Sequence, residues 1–239
     1  MTVAEFFGCA FLAFGPPLSM FIFTIAHDPI RIIILIAAAF FWLLSLLVSS
    51  LIWLAVVPLR EFPAFGVVVS VTFQEVFRWV IYKILRKTER GLKEVAENER
   101  VTENKHILAY VSGLGFGIIS GLFALVNVLA DMVGPGTMGY NGGSEIFFIT
   151  SAAQTLCTIL LQTFWGVIFF NAMDMRNYVQ LTYVVLSHLL VSCLTLLNKN
   201  ELYAATLTSS YVITLLTGVL AFREAGGSFL SFKKFITCK

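Results

Sequence analysis

Apolar segments long enough to cross a membrane recur along this chain, and no other feature limits its possible folds as strongly. An α-helix needs about 20 such residues to cross the ~30 Å hydrocarbon core of a bilayer. Of the 239 residues, 58% are hydrophobic and only 13% are charged. Soluble domains average about 25% charged residues. The sequence therefore predicts an all-α, polytopic membrane protein.

Short polar stretches divide the chain into seven expected spans within one membrane domain, residues 1–239. Pro58 and Pro63 bracket one break, and the glycine-rich stretch DMVGPGTMGYNGGSE at 131–145 forms another. Because most connections are short, consecutive helices are expected to pack antiparallel in a single bundle. The spans are predicted at about residues 3–25, 32–57, 64–86, 106–130, 146–171, 178–198 and 202–222.

The distribution of lysine and arginine predicts how this bundle is oriented. With seven crossings, thirteen of these residues fall on one side and only two, Arg60 and Lys199, on the other. Arg78 lies inside the third span and is left out of the comparison. Cytoplasmic loops carry the excess of positive charge in membrane proteins. We therefore expect a lumenal or extracellular N-terminus and a cytosolic C-terminus.

Small residues recur at every fourth position of the fourth span. They are Ala109, Gly113, Gly117 and Gly121. Four residues turn an α-helix by about 400°, so these positions form a single stripe along it. Small residues in such a stripe let two helix backbones approach closely in lipid. We expect a tight helix contact here, either within the bundle or with a partner subunit.

Four polar side chains lie deep inside the expected spans and are candidate functional residues. They are Glu75, Arg78, Gln162 and His188. The first two share one helical face and are expected to pair, because each costs about 2.5–3.5 kcal/mol when it faces lipid. At about 1.5 Å per residue, all four lie about 12–16 Å from the cytosolic ends of their spans. We infer a hydrogen-bonded polar layer, or a cavity that opens toward the cytosol.

Two other functions compete with a role in assembly. A rhomboid-like intramembrane hydrolase would use Ser120 as nucleophile and His188 as base, but an uninterrupted helix would not present Ser120 to a substrate. A seven-span receptor would normally show a longer N-terminus and a cysteine pair in its loops, which this sequence lacks. The residues predict no catalytic site, no metal site and no cofactor. Cys238 is a candidate for palmitoylation.

Five stretches, spread over essentially the whole chain, together resemble the anterior-pharynx-defective (Aph) subunit of γ-secretase. They are FFGCAFLAFGPP (6–17), RIIILIAAAFFWLLSLLVSSLIW (31–53), FQEVFR (73–78), AYVSGLGFGIISG (109–121) and DMVGPGTMG (131–139). The resemblance implies seven spans with a lumenal N-terminus and a cytosolic C-terminus, in agreement with the charge distribution. It also implies a non-catalytic scaffold that joins nicastrin first, and then presenilin and the presenilin-enhancer subunit.

The resemblance carries further expectations for the cell and for single residues. It implies a place in the endoplasmic reticulum, Golgi and plasma membrane, and support for the processing of type I membrane proteins such as Notch and amyloid precursor protein. Gly113, Gly117 and Gly121 match the glycine motif that the family needs for assembly. His188 matches one of two family histidines, whereas Gln162 stands where the other is expected. Since glutamine cannot titrate, this favours a hydrogen-bonding role over a proton relay.

Overall fold

The computed structural model describes residues 3–59, 61–95, 105–133 and 146–228. Within these ranges the chain forms seven long α-helices and no strand. Each is long and apolar enough to cross a membrane, α6 together with the 3-10 helix that follows it. The all-α class and the seven spans are thus confirmed for the described residues. The helices are α1 (Val3–Thr24), α2 (Pro29–Ala55), α3 (Pro63–Val95), α4 (Lys105–Val133), α5 (Ile146–Met175), α6 (Tyr178–Leu194) and α7 (Tyr203–Glu224), with 3-10 helices at Val57–Leu59 and Thr195–Asn200.

Several sequence predictions concern residues outside these ranges. The charged segment after α3 continues through 96–104, and the glycine-rich connector occupies 134–145. The tail at 229–239 includes Cys238, the candidate for palmitoylation. Arg60, which counts toward the orientation, also lies outside the described residues.

Local hydrogen bonds end one helix and begin the next within a few residues. Asp28 caps α2, and its Oδ1 accepts a hydrogen bond from the Ile30 backbone N–H at 2.9 Å. Pro29 suits the first helical position, where no backbone donor is needed. Asn177 caps α6 in the same way, accepting from the Gln180 N–H at 3.4 Å. Connections as short as these turn each helix back along its predecessor.

Successive helices run in opposite directions, so the bundle has two ends. The N-terminal end is where α1, α3, α5 and α7 begin, and the C-terminal end is where they finish. At the C-terminal end the hydroxyls of Thr24 and Tyr110 are 3.0 Å apart and join α1 to α4. The Glu224 carboxylate of α7 accepts from Asn171 of α5 and, at 2.7 Å, from Gln180 of α6. That this end faces the cytosol stays a prediction from the charge distribution.

Helix α5 is the centre of the bundle. It contacts α1, α4, α6 and α7, and its side chains are buried on every side. A helix enclosed in this way carries apolar or small residues around its whole circumference. Large side chains such as Trp165, Ile168 and Phe170 are fully buried. Helix α4 packs along α5 and also contacts α1 and α2. The candidate residues of α4 and α5 therefore lie in the core.

Candidate functional site

The glycine stripe of α4 faces the backbone of α5. A Cβ atom built on Gly113 falls 2.8 Å from the Thr163 carbonyl oxygen, and one built on Gly117 falls 2.6 Å from that of Ile159. Real Cβ atoms essentially never approach other atoms so closely. Because the obstructing atoms belong to the main chain, a side chain here would have to displace α5 itself. The structure thus fills this part of the stripe from within the chain.

The two ends of the stripe contact α5 in different ways. Gly121 faces a side chain of α5, whereas Ala109 and Gly113 face a glycine of α5. A Cβ on Gly121 falls 2.5 Å from Cδ1 of Ile159, which is a side-chain atom that can rotate. On α5, Gly166 faces back toward the stripe, and a Cβ there falls 2.8 Å from Gly113 Cα and 3.1 Å from the Ala109 carbonyl oxygen. Glycines from both helices therefore bring the two backbones together.

A second close approach, which sequence reasoning missed, lies on the opposite side of α4. A Cβ on Gly115 falls 2.5 Å from the Leu35 carbonyl oxygen and 3.1 Å from Ala38 Cβ, both in α2. Helix α4 is thus held close to α5 on one face and to α2 on the other. Gly115 and Gly166 stand outside the four-residue stripe, so only knowledge of which helices are neighbours would have identified them.

The polar residues form a network whose centre is an ion pair on α3. Arg78 Nε lies 3.1 Å from Glu75 Oε2, and Arg78 Nη2 lies 3.3 Å from Glu75 Oε1. The guanidinium also reaches α5, donating from Nη1 to the Gln162 carbonyl oxygen at 3.2 Å and from Nη2 to Gln162 Oε1. Arg78 is only 1% exposed. A buried cation is tolerated when its donors are paired in this way.

Helix α6 joins the network through His188. Its Nδ1 lies 2.6 Å from Glu75 Oε1, and its Nε2 lies 3.4 Å from the Gln162 amide nitrogen. The amide nitrogen can only donate, so Nε2 accepts and the imidazole proton sits on Nδ1, where it is donated to Glu75. The imidazole is then neutral, and the charges of Glu75 and Arg78 cancel. Every polar atom of this core has a partner.

Gln74 is a further member that the sequence analysis did not single out. Its Oε1 accepts from the Gln162 amide nitrogen and from Trp42 Nε1, both at 3.1 Å, and its own amide donates to Ser70 at 3.1 Å. Gln74 therefore extends the network to α2. The sequence does contain an indication of this role, because Gln74 is a polar residue next to Glu75 within an apolar span.

Aromatic rings enclose the network. The Trp165 ring stacks on His188 with ring centroids 4.4 Å apart, while its Nε1 donates to Ser187 at 2.9 Å. Phe116 of α4 lies under the Arg78 guanidinium, 5.2 Å from the ring centroid. Rings in these positions exclude lipid and supply favourable contacts to the cation and the imidazole. The five helices from α2 to α6 thus meet around one polar core.

A cavity of about 420 Å³ adjoins the network between α3, α5 and α6. It reaches Gln74 and His188 at its inner end, and Pro63 and Thr195 line it farther out. Those outer residues belong to the N-terminal end of the bundle. The cavity therefore opens toward the end of the bundle where α3 begins and α6 finishes. That this end is the lumenal one, opposite to the cytosolic opening expected from the sequence, stays a prediction from the charge distribution.

A second polar cluster, which was not among the sequence predictions, ties α3 to α5 at the C-terminal end of the bundle. Arg86 donates from Nε to Asp174 Oδ1 at 3.1 Å and forms an ion pair with the same carboxylate through Nη2. Tyr82 donates to Asp174 at 2.9 Å, and Glu89 lies 2.8 Å from Arg86 Nη1. This cluster fixes the two helices at a second level, beyond the buried network.

The pair of residues that a hydrolase would need is not assembled. The Ser120 hydroxyl donates to the Gly117 carbonyl oxygen of its own helix at 2.8 Å. Both ring nitrogens of His188 are occupied, by Glu75 and by Gln162. A serine nucleophile requires a base within hydrogen-bond reach. The described residues therefore give no geometric support to the rhomboid-like alternative.

Comparison with known proteins agrees on one family. A model of the Aph-1 protein family matches residues 4–228. The chain is 72% identical over 239 residues to the gamma-secretase subunit Aph-1 of Drosophila melanogaster, and the alignment covers all of both chains. It is 48% identical to the gamma-secretase subunit APH-1B of Homo sapiens, over all of this chain and 95% of that protein. It is 31% identical to the gamma-secretase subunit aph-1 of Caenorhabditis elegans, over 94% and 81% of the two chains.

Proposed function

Since the chain belongs to the Aph-1 family, we propose that it is a non-catalytic scaffold subunit of the γ-secretase intramembrane aspartyl protease complex. In this role it stabilises presenilin and nicastrin and receives the presenilin-enhancer subunit. It supports the cleavage of type I membrane proteins such as Notch and amyloid precursor protein. The complex resides in the endoplasmic reticulum, Golgi and plasma membrane, with the N-terminus of this subunit in the lumen and its C-terminus in the cytosol.

The observation that carries the scaffold role is the closed hydrogen bonding of the buried network. Glu75, Arg78, Gln162 and His188 satisfy one another across three helices. Catalytic acids and bases must instead reach a reacting group of the substrate. Side chains held in this way fix α3, α5 and α6 relative to one another. A rigid bundle suits a subunit that positions the helices of its partners.

Gln162 fits this structural role without titrating. Its side-chain oxygen accepts from Arg78 while its amide nitrogen donates to Gln74 and approaches His188. A histidine at this position would offer one donor and one acceptor through its two ring nitrogens. We infer that the position needs a residue that accepts from a cation and donates to neighbours, and that proton transfer is not required.

Co-purification in a mild detergent tests the scaffold role. An affinity-tagged chain, expressed with presenilin, nicastrin and the presenilin-enhancer subunit, is expected to recover all three. The variant Gly117→Leu should remain inserted in the membrane but recover less of each partner, because its side chain displaces α5. Recovery of the wild-type chain alone would overturn the proposal.

A substitution of Ser120 separates the scaffold from a hydrolase. The variant Ser120→Ala removes one hydroxyl that is bonded within its own helix, so the assembled complex should cleave its substrates at the wild-type rate. The purified chain without partners should cleave none of them. Cleavage by the isolated chain that disappears in Ser120→Ala would establish the hydrolase instead.

A further inference from the structure

A second cavity, of about 460 Å³, lies between α4, α5 and α7 at the C-terminal end of the bundle. We name it the α4–α7 cleft. Ile107 and Tyr110 of α4 line one side of it, and Gly218 and Phe222 of α7 line the other. Helix α5 forms its floor, where Val167 is buried. Because α4 and α7 both pack against α5, the cleft is a groove between two helices that share one neighbour.

The lining of the α4–α7 cleft offers an occupant mainly apolar contacts. The Thr163 hydroxyl donates to the Ile159 carbonyl oxygen of its own helix at 2.9 Å. The Tyr110 hydroxyl lies 3.0 Å from the hydroxyl of Thr24. Apart from His106, near the start of α4, the other lining residues are apolar or glycine. An occupant is therefore held by the burial of apolar surface and not by hydrogen bonds to these hydroxyls.

The chain leaves α7 across the wall of this cleft. Gly226 has a φ of 86°, in the left-handed region that glycine adopts without strain. Its N–H donates to the Arg223 carbonyl oxygen at 3.0 Å, and the Gly227 N–H donates to that of Phe222 at 2.8 Å. This pair of bonds is a Schellman motif, which ends a helix with a turn. A Cβ on Gly227 would fall 2.5 Å from the Phe222 ring, so the main chain lies directly on a residue that lines the cleft.

The segment that follows, residues 229–239, has the length and composition to fill the cleft. Along α7 the cleft extends from Ala225 to Gly218, which is about 10 Å at about 1.5 Å per residue. Five extended residues reach about 16 Å, so the first residues beyond Ser228 can reach any part of it. Five of the eleven residues in the segment are large and apolar, namely Phe229, Leu230, Phe232, Phe235 and Ile236.

We propose that residues 229–239 fold back over Phe222 and insert the side chains of Phe229 and Phe232 into the α4–α7 cleft. The segment begins at the cleft, so its effective concentration there is high and it outcompetes free lipid. Lys233 and Lys234 extend their long side chains to the end of the bundle, where the ammonium groups meet water. The contact joins α7 to α4 within one chain and goes beyond the scaffold role, on which it does not depend.

A pair of cysteines tests this contact in the full-length chain. With Cys238→Ser as background, Ile107→Cys and Phe232→Cys should form a disulfide when membranes are mildly oxidised. The loss of two thiols is measured by labelling the denatured chain with a maleimide polymer that shifts it on a gel. Tyr178→Cys with Phe232→Cys is the control pair, because Tyr178 is 73% exposed at the same end of the bundle and does not line the cleft. Oxidation of both pairs to the same extent, or of neither, would overturn the proposal.

Removal of the segment tests whether it covers the cleft. In membranes from cells that make the whole complex, Ile107→Cys should react with a water-soluble maleimide several-fold faster in a chain that ends at Ser228 than in the full-length chain. Tyr178→Cys should react at the same rate in both chains. Equal rates at position 107 would show that lipid or a partner subunit fills the cleft, and would overturn the proposal. The disulfide experiment uses the full-length chain, so it decides the question whether or not the shortened chain folds.

Discussion

Two of the contacts that hold α5 against its neighbours tolerate change differently. The contact with α4 depends on the absence of side chains, since a Cβ on Gly117 would meet the Ile159 carbonyl oxygen at 2.6 Å. The contact with α3 and α6 depends on the presence of matched polar groups, which meet around Arg78. The first is expected to weaken most when an atom is added against the main chain of α5. The second is expected to fail when one partner is removed, and to recover when both partners of a pair are replaced together.

The largest effect is expected from breaking the ion pair. Arg78→Leu leaves the Glu75 carboxylate buried without its cation and removes the donors to Gln162, which should cost about 3–5 kcal/mol of stability. The double variant Glu75→Leu with Arg78→Leu removes both charges and should regain much of this loss. Thermal unfolding of the purified complex, followed by size-exclusion chromatography, measures the difference. A double variant less stable than Arg78→Leu would contradict the account.

The second largest loss of stability is expected from adding one carbon atom where the glycine stripe of α4 contacts α5. Gly117→Ala places a Cβ against the α5 main chain and should cost about 2–3 kcal/mol, as overpacked cores do. Gly8→Ala is the matched control in α1, because a Cβ there has no neighbour within 4 Å. The control should match or slightly exceed the wild type, since alanine favours helices. The same thermal measurement compares both, and equal losses would show that α4 and α5 do not depend on close approach.

A change at Gln162 tests whether the network needs hydrogen bonds or proton transfer. Gln162→Leu deprives Arg78 of an acceptor and Gln74 of a donor, and should cost about 1–3 kcal/mol. Gln162→His offers one acceptor and one donor and should cost less. The yield of intact complex from equal amounts of membrane reports on both. Equal yields from the leucine variant and the wild type would show that the hydrogen bonds of Gln162 do not stabilise the complex.

The smallest effect is expected at the end of the glycine stripe. A Cβ on Gly121 meets the Ile159 side chain and not the main chain, so rotation of that side chain can relieve the overlap. Gly121→Ala should therefore cost about 1 kcal/mol or less. Thermal unfolding beside Gly117→Ala tests the ranking. If Gly121→Ala lowered the stability as much as Gly117→Ala does, contact with the main chain of α5 would not explain the loss of stability.

The sequence predicts features that depend on a single helix, and it does not predict features that depend on which helices are neighbours. The seven spans rest on segment length and hydropathy, which are local, and the glycine stripe rests on the period of one helix. The proximity of Glu75, Arg78, Gln162 and His188 was inferred from their shared depth in the bilayer. Gly166 and Gln74, by contrast, matter only because of the helices opposite them, and helix neighbours cannot be read from hydropathy.

The direction of the cavity could not be predicted for a related reason. Depth places residues along the bilayer normal but does not say on which side of a layer the helices separate. In the structure α3 and α6 leave space on the side of Pro63 and Thr195, where the cavity lies. The residues between Gln74 and Pro63 on α3 are small or β-branched along this face, and include Gly66, Val67 and Ser70. Their small volume leaves the gap unfilled.

The most direct test of the scaffold role measures activity per assembled complex. In cells that lack their own Aph subunit, the wild-type chain and the variants Gly8→Ala, Gly121→Ala and Gln162→Leu each restore some complex. We expect the amount of complex to fall in the order of the predicted stabilities, while the cleavage rate divided by that amount stays at the wild-type value. A variant that assembles normally but cleaves more slowly per complex would contradict the claim that this subunit contributes structure and no chemistry.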